Sequence, residues 1–151
     1  MKILFVCHGN ICRSPMAQYM FHHIMALHGT PDVYEVSSAG VSSEEEGHRV
    51  YLPAAAELRA RGISFSPRHS ARKLTLADYA YYDRIFALDH SNLRRLMTMT
   101  DGDPMGKIQL LTQAVGLPGE IEDPYYYGGF SGVADVIYSA CEKLYFSLTK
   151  T

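Results

Sequence analysis

A chain of 151 residues with 47% apolar and 20% charged side chains is long enough for one compact domain with a sizeable core, and too apolar to be disordered. Fourteen Lys and Arg against sixteen Asp and Glu leave a net charge of −2, which argues against a nucleic-acid binder working by bulk electrostatics. Three cysteines at no framework spacing disfavour a disulfide-stapled module, and the longest apolar run, residues 3–7, is far short of the ~20 residues a membrane span needs. Lys2 precedes that run, but no small-residue cleavage site follows, so it does not read as a signal peptide. The expectation is one domain over residues 1–151, soluble, in a reducing compartment such as the cytoplasm, with neither membrane nor nucleic acid as partner.

The predicted elements alternate. Residues 2–7 (KILFVC) are strand formers, apolar on both faces, as a buried parallel strand requires. The loop of residues 7–14 leads to Pro15, which suits the first turn of a helix with Ser14 as its N-cap. Met16, Tyr19, Met20, His23, Ile24 and Leu27 recur at helical spacing, and Gly29 closes the helix. Residues 34–38 read as a second strand, 52–62 as a helix ending at glycine, and 74–82 as a short helix. Residues 84–88 (RIFAL) read as a third strand, 91–99 as a helix and 108–111 as a short fourth strand. Residues 133–148 form a final amphipathic helix with Val133, Val136, Ile137, Ala140, Cys141, Leu144 and Leu148 facing inward. This alternation predicts an α/β fold: a single-domain, doubly wound, four-stranded parallel sheet flanked by helices on both faces. Such sheets bind ligands beyond the carboxyl ends of their strands, and the first strand ends at Cys7.

The segment Cys7-His8-Gly9-Asn10-Ile11-Cys12-Arg13-Ser14 carries the chemistry. It joins a buried strand to a helix N-terminus, where free amides and the helix dipole favour an anion. Gly9 and Asn10 are the residue types that most easily take left-handed geometry, so the loop can turn several N–H groups inward around a tetrahedral oxyanion. Cys7 would lie at the base of that cradle, where the surroundings favour a thiolate. Arg13, six residues on, can grip two phosphate oxygens with its planar fork. Thiolate, amides and guanidinium together suit in-line attack on a phosphoryl group. Cys-x5-Arg alone is common; between a strand and a helix start, with Ser14 following, it is specific. No G-x-x-x-x-G-K-[ST] and no G-x-G-x-x-G occur. His22, His23 and His28 have no Cys or carboxylate at metal spacing, so neither metal nor cofactor is expected.

Val6-Cys7-His8-Gly9-Asn10-Ile11-Cys12-Arg13-Ser14-Pro15 resembles the signature of the low-molecular-weight protein tyrosine phosphatases. Ser37-Ser38-Ala39-Gly40 resembles that family's second-strand ending and His69-Ser70-Ala71-Arg72 its His-x-Ala-Arg segment. Ala87-Leu88-Asp89-His90-Ser91-Asn92 resembles its Met-Asp-x-Ser-Asn segment, and Asp123-Pro124-Tyr125-Tyr126 its acid-bearing loop. The resemblance implies phosphotyrosine hydrolysis, with inorganic phosphate as product and phosphotyrosine proteins or aryl phosphates as partners. It implies Cys7 as nucleophile, Arg13 as phosphate grip and Asp123 as general acid and base, with adjacent Glu122 the fallback acid. His8, Gly9, Asn10, Ile11, Cys12 and Ser14 would complete the phosphate-binding loop. Ser38 and His69 would join Asn10 and Ser14 in a supporting network. Asp89 would steady Arg72 and the loop; an N-cap for the following helix accounts for it equally well. Tyr125 and Tyr126 would wall the slot or be phosphorylated themselves. Cys12 would pair reversibly with Cys7 as a disulfide, or is a small buried residue. Cys141 reads as core, and His48 and Arg49 as surface.

Three departures from the family pattern stand out. An acidic run, residues 44–46, occupies the stretch where the family carries an aromatic wall; such a run is ordinarily a solvated face, and at the pocket mouth it would repel acidic phosphopeptides. Residues 47–53 lack the family's Asp-x-Arg. The tyrosine loop is one residue longer. Three other readings compete. A protein arginine phosphatase of the same fold carries Thr where Ile11 stands, and a bulky Ile11 crowds a guanidinium. An arsenate reductase needs further redox cysteines, and residues 78–101 hold none. A non-catalytic phosphate-binding module would lack the thiol, the arginine or the acid, and all three are present.

Overall fold

The computed structural model describes residues 1–124 and 129–150. Four parallel strands stand in the order β2-β1-β3-β4: β1 (Lys2–Cys7), β2 (Glu35–Gly40), β3 (Arg84–Ala87) and β4 (Ile108–Leu110). The helices between and after them are α1 (Arg13–Leu27), α2 (Leu52–Ala60), α3 (Leu76–Tyr81), α4 (His90–Met99), α5 (Leu111–Ala114) and α6 (Phe130–Thr149). No helix among the described residues is long and apolar enough to cross a membrane.

Strand periodicity divides the core. Ile3, Phe5, Cys7, Phe86 and Leu88 face one side, where they pack with α1, α2 and α6 through Met16, Met20, Ile24, Leu58, Ile137 and Leu144. Leu4, Val6, Ile85 and Ala87 face the other, against Tyr79 of α3 and Leu96 of α4. Because both faces are covered, residues 3–6 of β1 are completely buried, which is why the strand reads as an unbroken apolar run.

The chain leaves β1 first for β2 on one side and later for β3 on the other. The strand order therefore reverses at β1, and a crevice opens beyond its carboxyl end, where Cys7 pairs in register with Gly40.

The structure corrects several sequence expectations. Ser14 is not an N-cap; Cys12 holds that place without a side-chain cap, and Ser14 lies inside α1 with its hydroxyl turned to Cys7. The second strand runs two residues further, to Gly40, because a backbone approach there needs small residues rather than an apolar pattern. Leu27 and Val136, expected inward, are exposed at 64% and 42%, while Ala134 and Tyr145 are buried in their stead.

Candidate active site

Cys7 ends β1 as a buried residue, and the loop beyond it turns through a left-handed residue. Asn10 has φ 60°, a left-handed conformation that few side chains tolerate. Its side chain binds in three directions. Nδ2–H groups donate to Ser14 Oγ and Ser38 Oγ, each at 2.9 Å, and Oδ1 accepts the Arg72 amide at 3.1 Å. The Asn10 carbonyl accepts from His69 Nε2 at 2.9 Å. Since that nitrogen donates, His69 Nδ1 is the acceptor for the Tyr19 hydroxyl at 3.2 Å. Burial lowers the His69 pKa below 6.5, and the neighbouring Arg49 charge adds to this, against the opposing hydrogen bond to Asn10. Ser38 in turn donates to Gln18 Oε1 at 2.5 Å.

The sulfur of Cys7 lies 3.3 Å from the Asn10 amide and 3.0 Å from Ser14 Oγ. Both groups can donate to a thiolate, and each such bond is strengthened by the charge. The amides of Gly9, Ile11, Cys12 and Arg13 have no protein acceptor among the described residues. For Cys12, burial, then the nearby Cys7 and Asp123 charges, raise the pKa far above the ordinary thiol range, so its thiol stays protonated. Among the described residues Cys7, Cys12 and Cys141 are free, and Cys141 is core.

Arg13 opens α1 with its side chain 2% exposed. Its Nη1 donates to Asp89 Oδ2 at 2.7 Å and to the Ile121 carbonyl at 2.9 Å, while Nη2 lies 3.6 Å from Asp123 Oδ2. Burial opposes the guanidinium charge, but the Cys7 sulfur, the bond and charge of Asp89 and the charge of Asp123 outweigh it and raise the pKa. Asp89 works at both ends, since its Oδ1 also accepts the Asn92 amide at 2.7 Å and caps α4. It steadies Arg13, not Arg72 as expected: Arg72 pairs with Asp78 at 2.8 Å.

Cys7, His8, Gly9, Ile11, Cys12, Arg13 and Asp123 line one cavity of about 130 Å³. The expected nucleophile, grip and acid therefore meet, and the expected supporting residues Asn10, Ser14, Ser38 and His69 stand behind them. Glu122 is exposed and lines a neighbouring cavity instead. Tyr125 and Tyr126 lie outside the described residues. Sequence reasoning missed Gly40. A Cβ there would stand 2.6 Å from the His8 carbonyl oxygen, so the loop can cross β2 only over glycine. It also missed Gln18 and Tyr19, which carry no motif of their own.

The family model for low molecular weight phosphotyrosine protein phosphatase matches residues 2–151. The chain belongs to this family. Among its relatives is the low molecular weight protein-tyrosine-phosphatase YfkJ of Bacillus subtilis, 34% identical over 99% of this chain and 96% of that protein. The crystal structure of YfkJ superposes with a TM-score of 0.94, covering 99% of this chain and 95% of the other. The low molecular weight phosphotyrosine protein phosphatase of Schizosaccharomyces pombe is 35% identical over 89% of this chain and 86% of its own length. A Drosophila arginine phosphatase structure is also similar, with a TM-score of 0.86 and 33% identity over 100% and 99% of the two chains.

Proposed function

We propose that this chain hydrolyses phosphotyrosine in proteins, and simple aryl phosphates, through a phosphocysteine intermediate. The observation that carries the reading is the single cavity shared by Cys7, Arg13 and Asp123. The Cys7 thiolate attacks phosphorus in line with the bond to the phenolic oxygen; an S–P bond forms as that P–O bond breaks. Asp123, protonated, gives its proton to the departing phenolate oxygen. Arg13 and the unpaired loop amides hold the non-bridging oxygens as charge shifts onto them. In the second step Asp123, now a carboxylate, takes a proton from water as the water oxygen attacks phosphorus. The S–P bond breaks, the electron pair returns to Cys7, and inorganic phosphate leaves.

Family membership and the names of the relatives support tyrosine as the substrate residue. Ile11 in the cavity wall supports it too, since a branched apolar side chain crowds the planar, hydrated guanidinium of an arginine substrate. The reading includes a reducing, cytoplasmic setting, in which Cys7 stays reduced. The test is steady-state turnover of para-nitrophenyl phosphate against pH for wild type, Cys7→Ser and Asp123→Ala. The expected result is no turnover in Cys7→Ser and loss of the alkaline limb, with a lower kcat, in Asp123→Ala. Activity of Cys7→Ser equal to wild type would remove the nucleophile from the scheme.

A further inference from the structure

The pocket that receives the phosphoryl dianion has an acidic lip. Glu44 and Glu45 line the same cavity as Cys7 and Arg13. The run is solvated, yet its loop is tied to the site. The Val41 and Ser42 amides donate to the carbonyls of Cys7 and His8, both at 3.0 Å, so the loop after β2 starts against the phosphate-binding loop. Ser42 Oγ accepts the Glu44 amide at 3.0 Å. Further on, the Gly47 amide donates to Ala71 O at 2.9 Å, and the Ala71 amide to His48 O at 2.8 Å. Glu45 then lies across Gly9 so closely that a Cβ on that glycine would come 3.1 Å from Glu45 Cγ. Its carboxylate is 2.9 Å from His48 Nδ1, and the Glu44 carboxylate is 3.5 Å from His8 Nε2.

Among the described residues, the neighbouring wall adds carboxylates rather than cations. A second cavity, of about 490 Å³, shares His8, Arg13 and Asp123 with the first, and Glu120 and Glu122 form part of its wall. Among the described residues lining either cavity, Arg13 is the one permanent cation, and it already faces Asp89 and Asp123. Arg49 turns to the Gly47 and His69 carbonyls, and Arg72 to Asp78.

Carboxylates so placed repel an incoming phosphate and any acidic residues around it. A substrate recovers the loss only by bringing cations of its own to the lip. We infer that Glu44 and Glu45 are specificity-determining residues that favour phosphotyrosines flanked by Lys or Arg. The inference rests on the phosphotyrosine reading and names the sequence context that the site selects. Glu44 is 72% exposed and Glu45 34%, so each contact is weak and salt-sensitive. A peptide engaging both lips gains about tenfold in kcat/KM over an acidic one at low salt.

The experiment uses three phosphotyrosyl peptides of equal length, flanked by Lys, Ser or Glu, with kcat/KM measured at low and high salt. Wild type is compared with the Glu44→Gln/Glu45→Gln double variant, and the Lys-to-Glu peptide ratio is read within each protein. The expected wild-type ratio is about ten at low salt, shrinking at high salt and falling to about two or less in the double variant. A wild-type ratio near one, a ratio indifferent to salt, or the same ratio in both proteins would overturn the inference while leaving phosphotyrosine hydrolysis intact. Failure of wild type to turn over any of the three peptides would overturn the phosphotyrosine reading itself.

Discussion

Ser14 Oγ stands 3.0 Å from Cys7 Sγ, in the first turn of α1. The same oxygen already accepts from Asn10 Nδ2, so its own proton is free to point either at the sulfur or at Ala39 O, 3.3 Å away. A negative sulfur attracts that proton more strongly than a neutral carbonyl does. Ser14→Ala removes a hydrogen bond to a charged group, worth ~1.5–3 kcal/mol. The expected outcome is a kcat for aryl phosphate lower by about tenfold to a hundredfold. KM should change little, because no Ser14 atom lines the cavity.

Asn10 is wholly buried and makes three side-chain hydrogen bonds from a left-handed backbone. Asn10→Ala strands the Arg72 amide, removes the donor to Ser14 and Ser38 and adds backbone strain, at a cost of roughly 2–4 kcal/mol. Calorimetry should show Tm lower by about 5–15 °C. Asn10→Gly loses the same bonds but keeps the backbone fit, so it should be more stable than the alanine variant by about 1 kcal/mol.

His69 and His22 both have pKa values lowered from 6.5 by burial, only partly offset by bonds to the Asn10 and Val36 carbonyls. Below pH 6.5 the unfolded chain takes up protons that the native chain still refuses, so stability is full above that pH and declines as pH falls through the native values. Urea midpoints taken between about pH 7.5 and 5.5 should fall with acid, and less steeply in His69→Gln. An identical slope in that variant would place the acid sensitivity elsewhere.

Asp89 binds Arg13 through one carboxylate oxygen and caps α4 with the other. Asp89→Ala leaves a guanidinium that is 2% exposed without its nearest partner, at a cost of about 3 kcal/mol, and removes the cap at a further ~1 kcal/mol. Asp89→Asn retains an oxygen for the cap, so chemical denaturation should rank wild type above Asn above Ala. Both variants should bind inorganic phosphate more weakly, read as a higher inhibition constant, because Arg13 is then positioned by the Ile121 carbonyl and Asp123 without the Asp89 charge.

Most of the scaffold could be read from residue pattern, because burial on both faces writes itself into β1 as an unbroken apolar run and the helices as periodic ones. That Cys7 and Arg13 share a cavity is legible for a different reason, since a strand, a tight loop and a helix start form one local unit; Asp123 comes into view only through the resemblance of residues 123–126 to the family's acid-bearing loop, because an Asp-Pro by itself reads as a turn. What could not be read depends on distance along the chain. The Arg13–Asp89 pair spans 76 residues and the His69–Asn10 bond 59, and no spacing rule reaches so far. Thus the N-cap expected of Asp89 is present and so is its hold on the loop, through Arg13, but its expected hold on Arg72 is not, since Arg72 pairs with Asp78. Ser14 looked like a cap because small hydroxyl residues favour that position, but the sulfur beside it recruits the hydroxyl. Gly40 was invisible as a site residue because its role is to have no side chain where the loop crosses. The acidic run reads as a solvated face or as a flank of the mouth, and it is both: Glu44 and Glu46 are exposed, while the hydrogen bonds of its loop to residues 7, 8 and 71 bring it to the cavity.

Rapid chemical quench during turnover of a phosphorus-labelled aryl phosphate, followed by peptide mapping, is the most direct measurement. The account predicts label on the peptide from wild type, attached through sulfur at Cys7, retained in Cys12→Ser and absent from Cys7→Ser. Label on Cys12, or full turnover with no labelled protein at any quench time, would contradict it.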